Sequence, residues 1–448
     1  MVERSAFGGD DVEANGRGIH GGNLLEDGAE SIILSLVAEP ESLFTAVSNL
    51  AARAIARLPE AHARAMKTDL LILKELLMDA RPPKLMILGR RGAGKSSLIN
   101  AIFGEPMAAV GSVLSETGRP TWYSYAGPRG EMKILDTRGL GDLTRPEAAN
   151  FQDALEEIRS VLVDEWPDAI LFLCKAKDVD SHIAQDLANV EAVRAFIAAR
   201  HRYQAPVVAV VTQVDELDPK RVEPPYENAT KRRNIETAVR ALQEALTERG
   251  IALARVIPVS TYAEYEEGPG GVRRVYDNYW NLAGLVDYLV EVLPRSAQIQ
   301  MARLAQLRAV QRKLARKMTA AAAAVAGGVA ATPIPVADIL PITALQIGLI
   351  TGIAYVSGRE MSKRTAREFL AALGANVGAA FALREGARAL GKLVFPGVGS
   401  AVSAGVAVAG TWGLGEAAIA YFIEKRPIEE AKERFRRKKK EKEKEAAS

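Results

Sequence analysis

The chain has 448 residues, with 58 Lys and Arg against 55 Asp and Glu, a formal charge of +3 and a quarter of its residues charged. Near balance provides no global positive field of the kind that holds nucleic acid. The single cysteine, Cys174, excludes a disulfide framework, and the four histidines (His20, His62, His182 and His201) are too scattered for a metal-ligand pattern.

A chain this long accommodates two or three domains with a sizeable core. The lone cysteine suits a reducing cytoplasmic setting, which is expected, and the start lacks the basic, apolar, small-residue succession of a secretory signal. Residues 1–30 are rich in Gly, Asp and Glu without apolar periodicity and are expected to form a disordered leader. Over residues 31–80, Leu43, Val47, Leu50, Ala54 and Leu58 recur at helical spacing. Amphipathic helices are expected there, packed on the adjacent domain or on the C-terminal helices.

Residues 81–295 read as an α/β domain with a mainly parallel sheet and helices on both faces. Apolar strands are expected at Lys84–Leu88, Met132–Leu135, Ala169–Cys174, Val207–Val211 and Val256–Val259, and an antiparallel edge strand at Thr121–Tyr125. The first strand runs into Gly89-Arg90-Arg91-Gly92-Ala93-Gly94-Lys95-Ser96, and Ser97 begins a helical pattern. Strand, glycine turn and helix form the context of a phosphate-binding loop. Its backbone amides and the positive end of the helix converge on one small cavity. Lys95 would reach the β- and γ-phosphates and Ser96 would hold Mg²⁺.

Three further stations come after strand ends. Asp136-Thr-Arg-Gly139 succeeds Met132–Leu135, so Asp136 is placed for the Mg²⁺ shell and the Gly139 amide for the γ-phosphate. Thr212-Gln213-Val-Asp215 succeeds Val207–Val211. A carboxylate at Asp215 accepts hydrogen bonds from the guanine N1 and exocyclic amino group, a donor pair that adenine lacks. Ser260, after Val256–Val259, could offer its backbone amide to the guanine O6. Two stretches, Glu216 to Arg233 and Glu264 to Tyr279, are proline-, glycine- and charge-rich and read as surface loops.

On GRRGAGKS, DTRG and TQVD, in order and at strand ends, the region 84–294 resembles the translation-factor-like GTPases, in particular their Era-like, septin-like and dynamin/immunity-related branches. The resemblance implies GTP/GDP and Mg²⁺ as cofactors and GTP hydrolysis as the reaction. It also implies a mobile segment carrying a threonine that completes the Mg²⁺ shell. Thr117 is favoured for that role over Thr121, which begins a strand. The sequence departs from the pattern at Gln213, where a lysine usually packs on the base, and at Arg138, where proline is usual. Leu140 stands where many relatives carry a water-orienting glutamine, so hydrolysis is expected to be slow or stimulated by dimerisation across the nucleotide face. Arg91, in preference to Arg90, is a candidate to neutralise transition-state charge.

From Ser296 to Lys317 the pattern is a basic helix. Beyond it, Asp338 is the only charge between Thr319 and Gly358, and Glu416 the only one between Leu393 and Ile423. Such stretches suit membrane insertion. Pro333, Pro335 and Pro341 break the first, however, and basic segments flank both, so shallow helical hairpins or a closed soluble bundle are alternatives. Residues 325–423, through Pro333–Ile347 and Phe395–Ser400, resemble a hydrophobic C-terminal domain attached to some bacterial Era-like GTPases. Residues 296–425 are therefore expected to be helical and membrane-associated, and residues 426–448 to be an exposed charged tail, partly helical or disordered.

The resulting expectation is a GTP-hydrolysing switch that couples nucleotide state to self-association and to a membrane, with no nucleic-acid partner. The alternative is a soluble GTPase scaffold or assembly factor with a closed helical bundle.

Overall fold

The structure, a computed structural model, describes residue 52 and residues 55–104, 106, 120–136, 151–179, 183–251, 255–268, 271–331, 339–360, 362–373 and 398–447. The leader, most of the expected N-terminal helices, Thr117, Arg138, Gly139, Leu140 and Pro333 to Asp338 lie outside these residues. After helix α1 (Glu60–Leu77) come β1 (Lys84–Gly89), α2 (Lys95–Phe103), β2 (Thr121–Gly127), β3 (Gly130–Asp136), α3 (Phe151–Leu162) and β4 (Ala169–Lys175). Next are α4 (Ile183–His201), β5 (Val207–Thr212), a 3-10 turn (Val214–Glu216), α5 (Ala229–Glu248) and β6 (Arg255–Pro258). A hairpin of β7 (Ala263–Gly268) and β8 (Gly271–Asp277) leads to α6 (Leu282–Val292), α7 (Arg295–Ala305) and α8 (Arg308–Ala331). The last helices are α9 (Ile339–Val356), α10 (Lys363–Leu373), α11 (Val398–Ala418), continued by a π-helical turn (Ile419–Ile423), and α12 (Ile428–Ala447).

The six-stranded sheet has the order β2-β3-β1-β4-β5-β6. Every pair is parallel except β2 with β3, so the edge strand expected at Thr121–Tyr125 is present. Side chains alternate across the sheet with the period of two that strand geometry requires. In β1, Leu85 and Ile87 enter one apolar cluster, whereas Met86 and Leu88 enter the other. In β4, Leu171 and Leu173 oppose Ile170 and Phe172 in the same way. Helices α3, α4 and α5 cover one face through Ile158, Val190 and Leu242. The other face is covered by α2 and α6, through Phe103 and Leu289.

That second cluster does not stop at residue 295. It runs from Leu85 and Phe103 through Leu289, Ile299 and Met318 to Ile353, Ala417 and Phe435, with Leu73 and Leu76 of α1 included. The sheet and the helical bundle thus share one apolar core. A polar tie crosses the same junction. The buried Arg303 of α7 donates to the carbonyl of Arg129, in the β2–β3 turn, at 3.0 Å, and to those of Tyr355 and Arg359 at 2.8 and 2.5 Å. Arg129 in turn donates to the Phe103 carbonyl at the end of α2, at 2.7 Å.

Three expectations are corrected. Glu264 to Tyr279 is not a loop but mostly the β7–β8 hairpin, in which Gly268 pairs with Gly271. Both of its faces are largely exposed, so it lacks the apolar alternation that marks a half-buried strand. The basic helix from Ser296 to Lys317 is two helices, broken at Gln306, whose φ of 51° is left-handed. The charged tail is helical, as one expectation had it, but it is not free: α12 docks along α11 by Ala431 and Phe435 and by Lys438 and Lys442, whose ammonium groups lie 5.7 and 5.3 Å from the Trp412 ring.

Within the bundle, Ala404–Ile423 is, among the described residues, the one helical segment long and apolar enough to cross a membrane, and it is mostly buried. Its polar groups find partners. Gln346 donates to Thr411 at 3.2 Å, Arg316 pairs with Glu416 at 2.8 Å, and Arg434 pairs with Glu424 at 3.0 Å.

Candidate nucleotide-binding site

The phosphate-binding loop forms where β1 meets α2. Gly92 and Gly94 have φ of 77° and 85°, conformations that a side chain would strain, and Gly94 is the N-cap of α2. The turn therefore bends the loop around the start of the helix, with the Ala93 amide donating to the Arg90 carbonyl at 3.0 Å. Lys95 folds over the loop, donating to the Gly89 carbonyl at 2.8 Å and to the Arg90 carbonyl at 3.3 Å. Ser96 and Ser97 are half-buried in the first turn of α2, and Ala93 is buried beneath the loop. The position of Gly92 next to Lys175 adds a second cation: a Cβ on Gly92 would lie 3.2 Å from the Lys175 ammonium. Lys175 was not evident from the sequence because it stands at a strand end with no motif of its own.

The two arginines of the loop differ. Arg90 is turned toward α4 and pairs with Asp186 at 2.8 Å. Arg91 is exposed. The geometry thus separates the two candidates, leaving Arg91 at the solvent side of the loop.

The stretch expected to read the base is tied directly to the loop. Thr212 is fully buried, and its hydroxyl donates to the Ala93 carbonyl at 3.0 Å. Gln213, in the left-handed region with φ 57°, donates its side-chain amide to the Gly92 carbonyl at 2.7 Å. Phosphate loop and β5 end are therefore one hydrogen-bonded unit. Asp215 sits in the 3-10 turn, and one of its carboxylate oxygens accepts the Ser260 hydroxyl at 2.9 Å. The expected role of the Ser260 amide is corrected: that N–H donates to the Trp280 carbonyl at 3.2 Å in an antiparallel bridge, so it is committed elsewhere. The Ser260 hydroxyl, not its amide, is the group that reaches Asp215.

Asp136 ends β3, in register with Ile87 on β1 and Thr121 on β2, beside the loop strand. Thr117 and Gly139, expected to complete the metal and γ-phosphate contacts, lie outside the described residues. Among the described residues no cluster of three or more His, Cys, Asp or Glu forms a separate metal site.

A further group at the site has no sequence signature. Lys231 of α5 is fully buried, and its ammonium donates to the carbonyls of Asp215 and Leu217 at 2.7 and 2.5 Å. Burial pulls its pKa below the ordinary lysine value, against the opposing pull of Asp215 and Asp218. The neighbouring Tyr226 hydroxyl is pushed up to about 12, chiefly by burial.

Residues 84–213 match the family described as 50S ribosome-binding GTPase, and residues 295–445 match a domain of unknown function, DUF697. Translocase of chloroplast 34 from Pisum sativum is 33% identical over 96 residues, 21% of this chain and 29% of the relative. GTPase Der from Lacticaseibacillus paracasei is 30% identical over 154 residues, 32% of this chain and 30% of the relative. The chain therefore spans less than a third of the length of these relatives. Among solved structures, Toc33 from Arabidopsis thaliana in complex with Mg²⁺ and GMPPNP is 20% identical, covering 53% of this chain and 95% of that one, with a TM-score of 0.32. By family match and sheet topology, residues 84–213 carry the P-loop GTPase fold, and the helical residues 295–445 are similar to DUF697.

Proposed function

We propose that the chain binds GTP with Mg²⁺ and hydrolyses it to GDP and phosphate, and that the nucleotide state governs its self-association. The observation that carries this reading is the direct coupling of a phosphate loop to a base-reading carboxylate. Gln213 bonds to Gly92, and Asp215, two residues on, is oriented by Ser260. The donor set fits the group. Loop amides and Lys95 meet phosphate oxygens, Ser96 offers a hydroxyl to the metal, and Asp136 ends the adjacent strand. When bound, Mg²⁺ neutralises charge on the β- and γ-phosphates. Asp215 accepts from the guanine edge. The exposure of Arg91 supports its proposed approach to the γ-phosphate side once a partner orders it, and Thr117 and Gly139, outside the described residues, are the groups proposed to complete the metal and phosphate contacts.

Self-association across the nucleotide face would supply the water-orienting group that Leu140 cannot. The test is phosphate release against protein concentration for the wild type and Arg91→Ala. Specific activity is expected to rise with concentration in the wild type and to stay low in Arg91→Ala. Identical, concentration-independent activity in both would contradict the proposal.

For the C-terminal domain, membrane association at the cytoplasmic face is the proposed role, and burial of Ala404–Ile423 adds a condition to it. The bundle must open, with α12 leaving α11, before that segment can meet lipid. The same burial supports a second reading, a soluble GTPase scaffold or assembly factor whose bundle stays closed. Flotation of the full chain with anionic vesicles in GDP and in a non-hydrolysable GTP analogue separates them. Nucleotide-dependent flotation supports the first, and a soluble protein in both states supports the second.

A further inference from the structure

We infer that Lys231 is the positioning residue of the base-reading site: its buried ammonium sets the turn that aims the Asp215 carboxylate. The inference rests on the GTP-binding reading and deepens it.

A lysine at full burial is costly, because taking an ammonium out of water is repaid only when its donors are well satisfied. Here they are. Two hydrogen bonds go to the carbonyls of Asp215 and Leu217, and the ammonium lies 5.0 Å from the centre of the Tyr226 ring. No carboxylate pairs directly with it among the described residues, so its contacts are made with the backbone of the turn rather than with a counter-ion. Asn234, one helical turn on, donates to the Asp218 carbonyl at 2.8 Å. One face of α5 thus grips the carbonyls of residues 215, 217 and 218.

The helix is itself fixed at that end. The Asn228 side chain accepts the Lys231 amide at 3.0 Å, capping α5. Tyr226 is fully buried and packs 5.2 Å from Trp280, whose backbone bridges Ser260. The Asp215 turn is therefore held from two sides, by Ser260 at its carboxylate and by Lys231 at its carbonyl. With Gln213 drawn to Gly92, the motif has no lysine of its own, and the neighbouring helix supplies one from beneath.

A residue that only stabilised the fold would weaken all nucleotides alike. A positioning residue alters discrimination at the atom that the carboxylate reads. Inosine diphosphate keeps the N1 proton of guanine and lacks the exocyclic amino group, so the ratio of GDP to IDP affinity reports the aim of Asp215. In the full-length wild type GDP is expected to bind about tenfold or more tighter than IDP, the worth of one charge-assisted hydrogen bond. Lys231→Met is expected to bring that ratio to within about threefold of unity, mainly by weakening GDP. In an Asp215→Asn background the same change should leave the ratio where it is. Should Lys231→Met not fold, Lys231→Gln, which keeps a donor for one carbonyl, is expected to give an intermediate ratio. A wild-type ratio retained in either folded variant overturns the role of Lys231 and leaves the GTP reading intact. A wild type that binds neither GDP nor IDP overturns both.

Discussion

Ser260 shows how a residue can serve a site by a different atom from the one its position suggests. Its amide belongs to the bridge with Trp280, and its hydroxyl orients Asp215. Ser260→Ala removes that bond from a buried position, so GDP affinity is expected to fall about tenfold while ADP binding stays unchanged. Fluorescence titration with the two nucleotides checks this. Lys95→Ala removes the cation that folds over the loop, and its loss of charge-assisted contacts is expected to weaken GDP by about tenfold or more. At this scale the sequence is informative where backbone geometry restricts the residue type, as at Gly92 and Gly94. It is silent where chemistry depends on tertiary position. Lys231 lies near the end of Glu216 to Arg233, which reads as a surface loop, and only its packing against the Asp215 turn reveals otherwise.

Among the elements, the sheet strands were legible because their apolar runs are buried on both faces, and the docking of helix α12 was not. Its face toward α11 is built from Ala431, Phe435 and lysine stems, a pattern that charge counting reads as exposed. Ion pairs complete its attachment. Burial raises the Glu424 pKa, but the hydrogen bonds and charges of Arg434 and Arg312 outweigh it and hold the carboxyl below its ordinary value. A lowered folded-state pKa gives a contribution fully present above the ordinary glutamate range and lost as pH falls through the folded value. Acid is therefore expected to loosen α12, and limited proteolysis after Glu424 should accelerate below about pH 4 in the wild type. Glu424→Gln should show the faster cleavage already at neutral pH. The Arg303 tie belongs to this scale too. Arg303→Met leaves the carbonyls of Arg129, Tyr355 and Arg359 without their donor, and is expected to cost about 3 kcal/mol, read as a lower urea midpoint.

The whole molecule is organised by one apolar cluster shared between sheet and bundle, although the sequence suggests a division at residue 295. The division looks natural because composition changes sharply there. Composition, however, says nothing about which faces meet. Removal of residues 296–448 is accordingly expected to expose the apolar faces of α1, α2 and α6 and to give an insoluble fragment, as a sedimentation assay would show. Opening of the bundle is better tested in the intact chain. A Cβ on Gly405 would stand 3.1 Å from that of Ala446, a few tenths of an ångström inside the usual disulfide spacing, so a small shift of the helices would allow the bond. Gly405→Cys with Ala446→Cys should lock α12 on α11 when oxidised. If vesicle flotation requires opening, the reduced protein floats and the oxidised protein does not, whereas equal flotation of both would show that lipid binding uses another surface.

The central claim is that phosphate loop and base-reading turn form one guanine-specific site, and calorimetry of the full-length chain with Mg²⁺–GDP and Mg²⁺–ADP tests it most directly. Binding of GDP about a hundredfold tighter than ADP is expected, since a site built to pair donors on its ligand rejects one that lacks them. Asp215→Ala should abolish that preference. Equal affinity for the two nucleotides, or a preference that survives Asp215→Ala, would contradict the account.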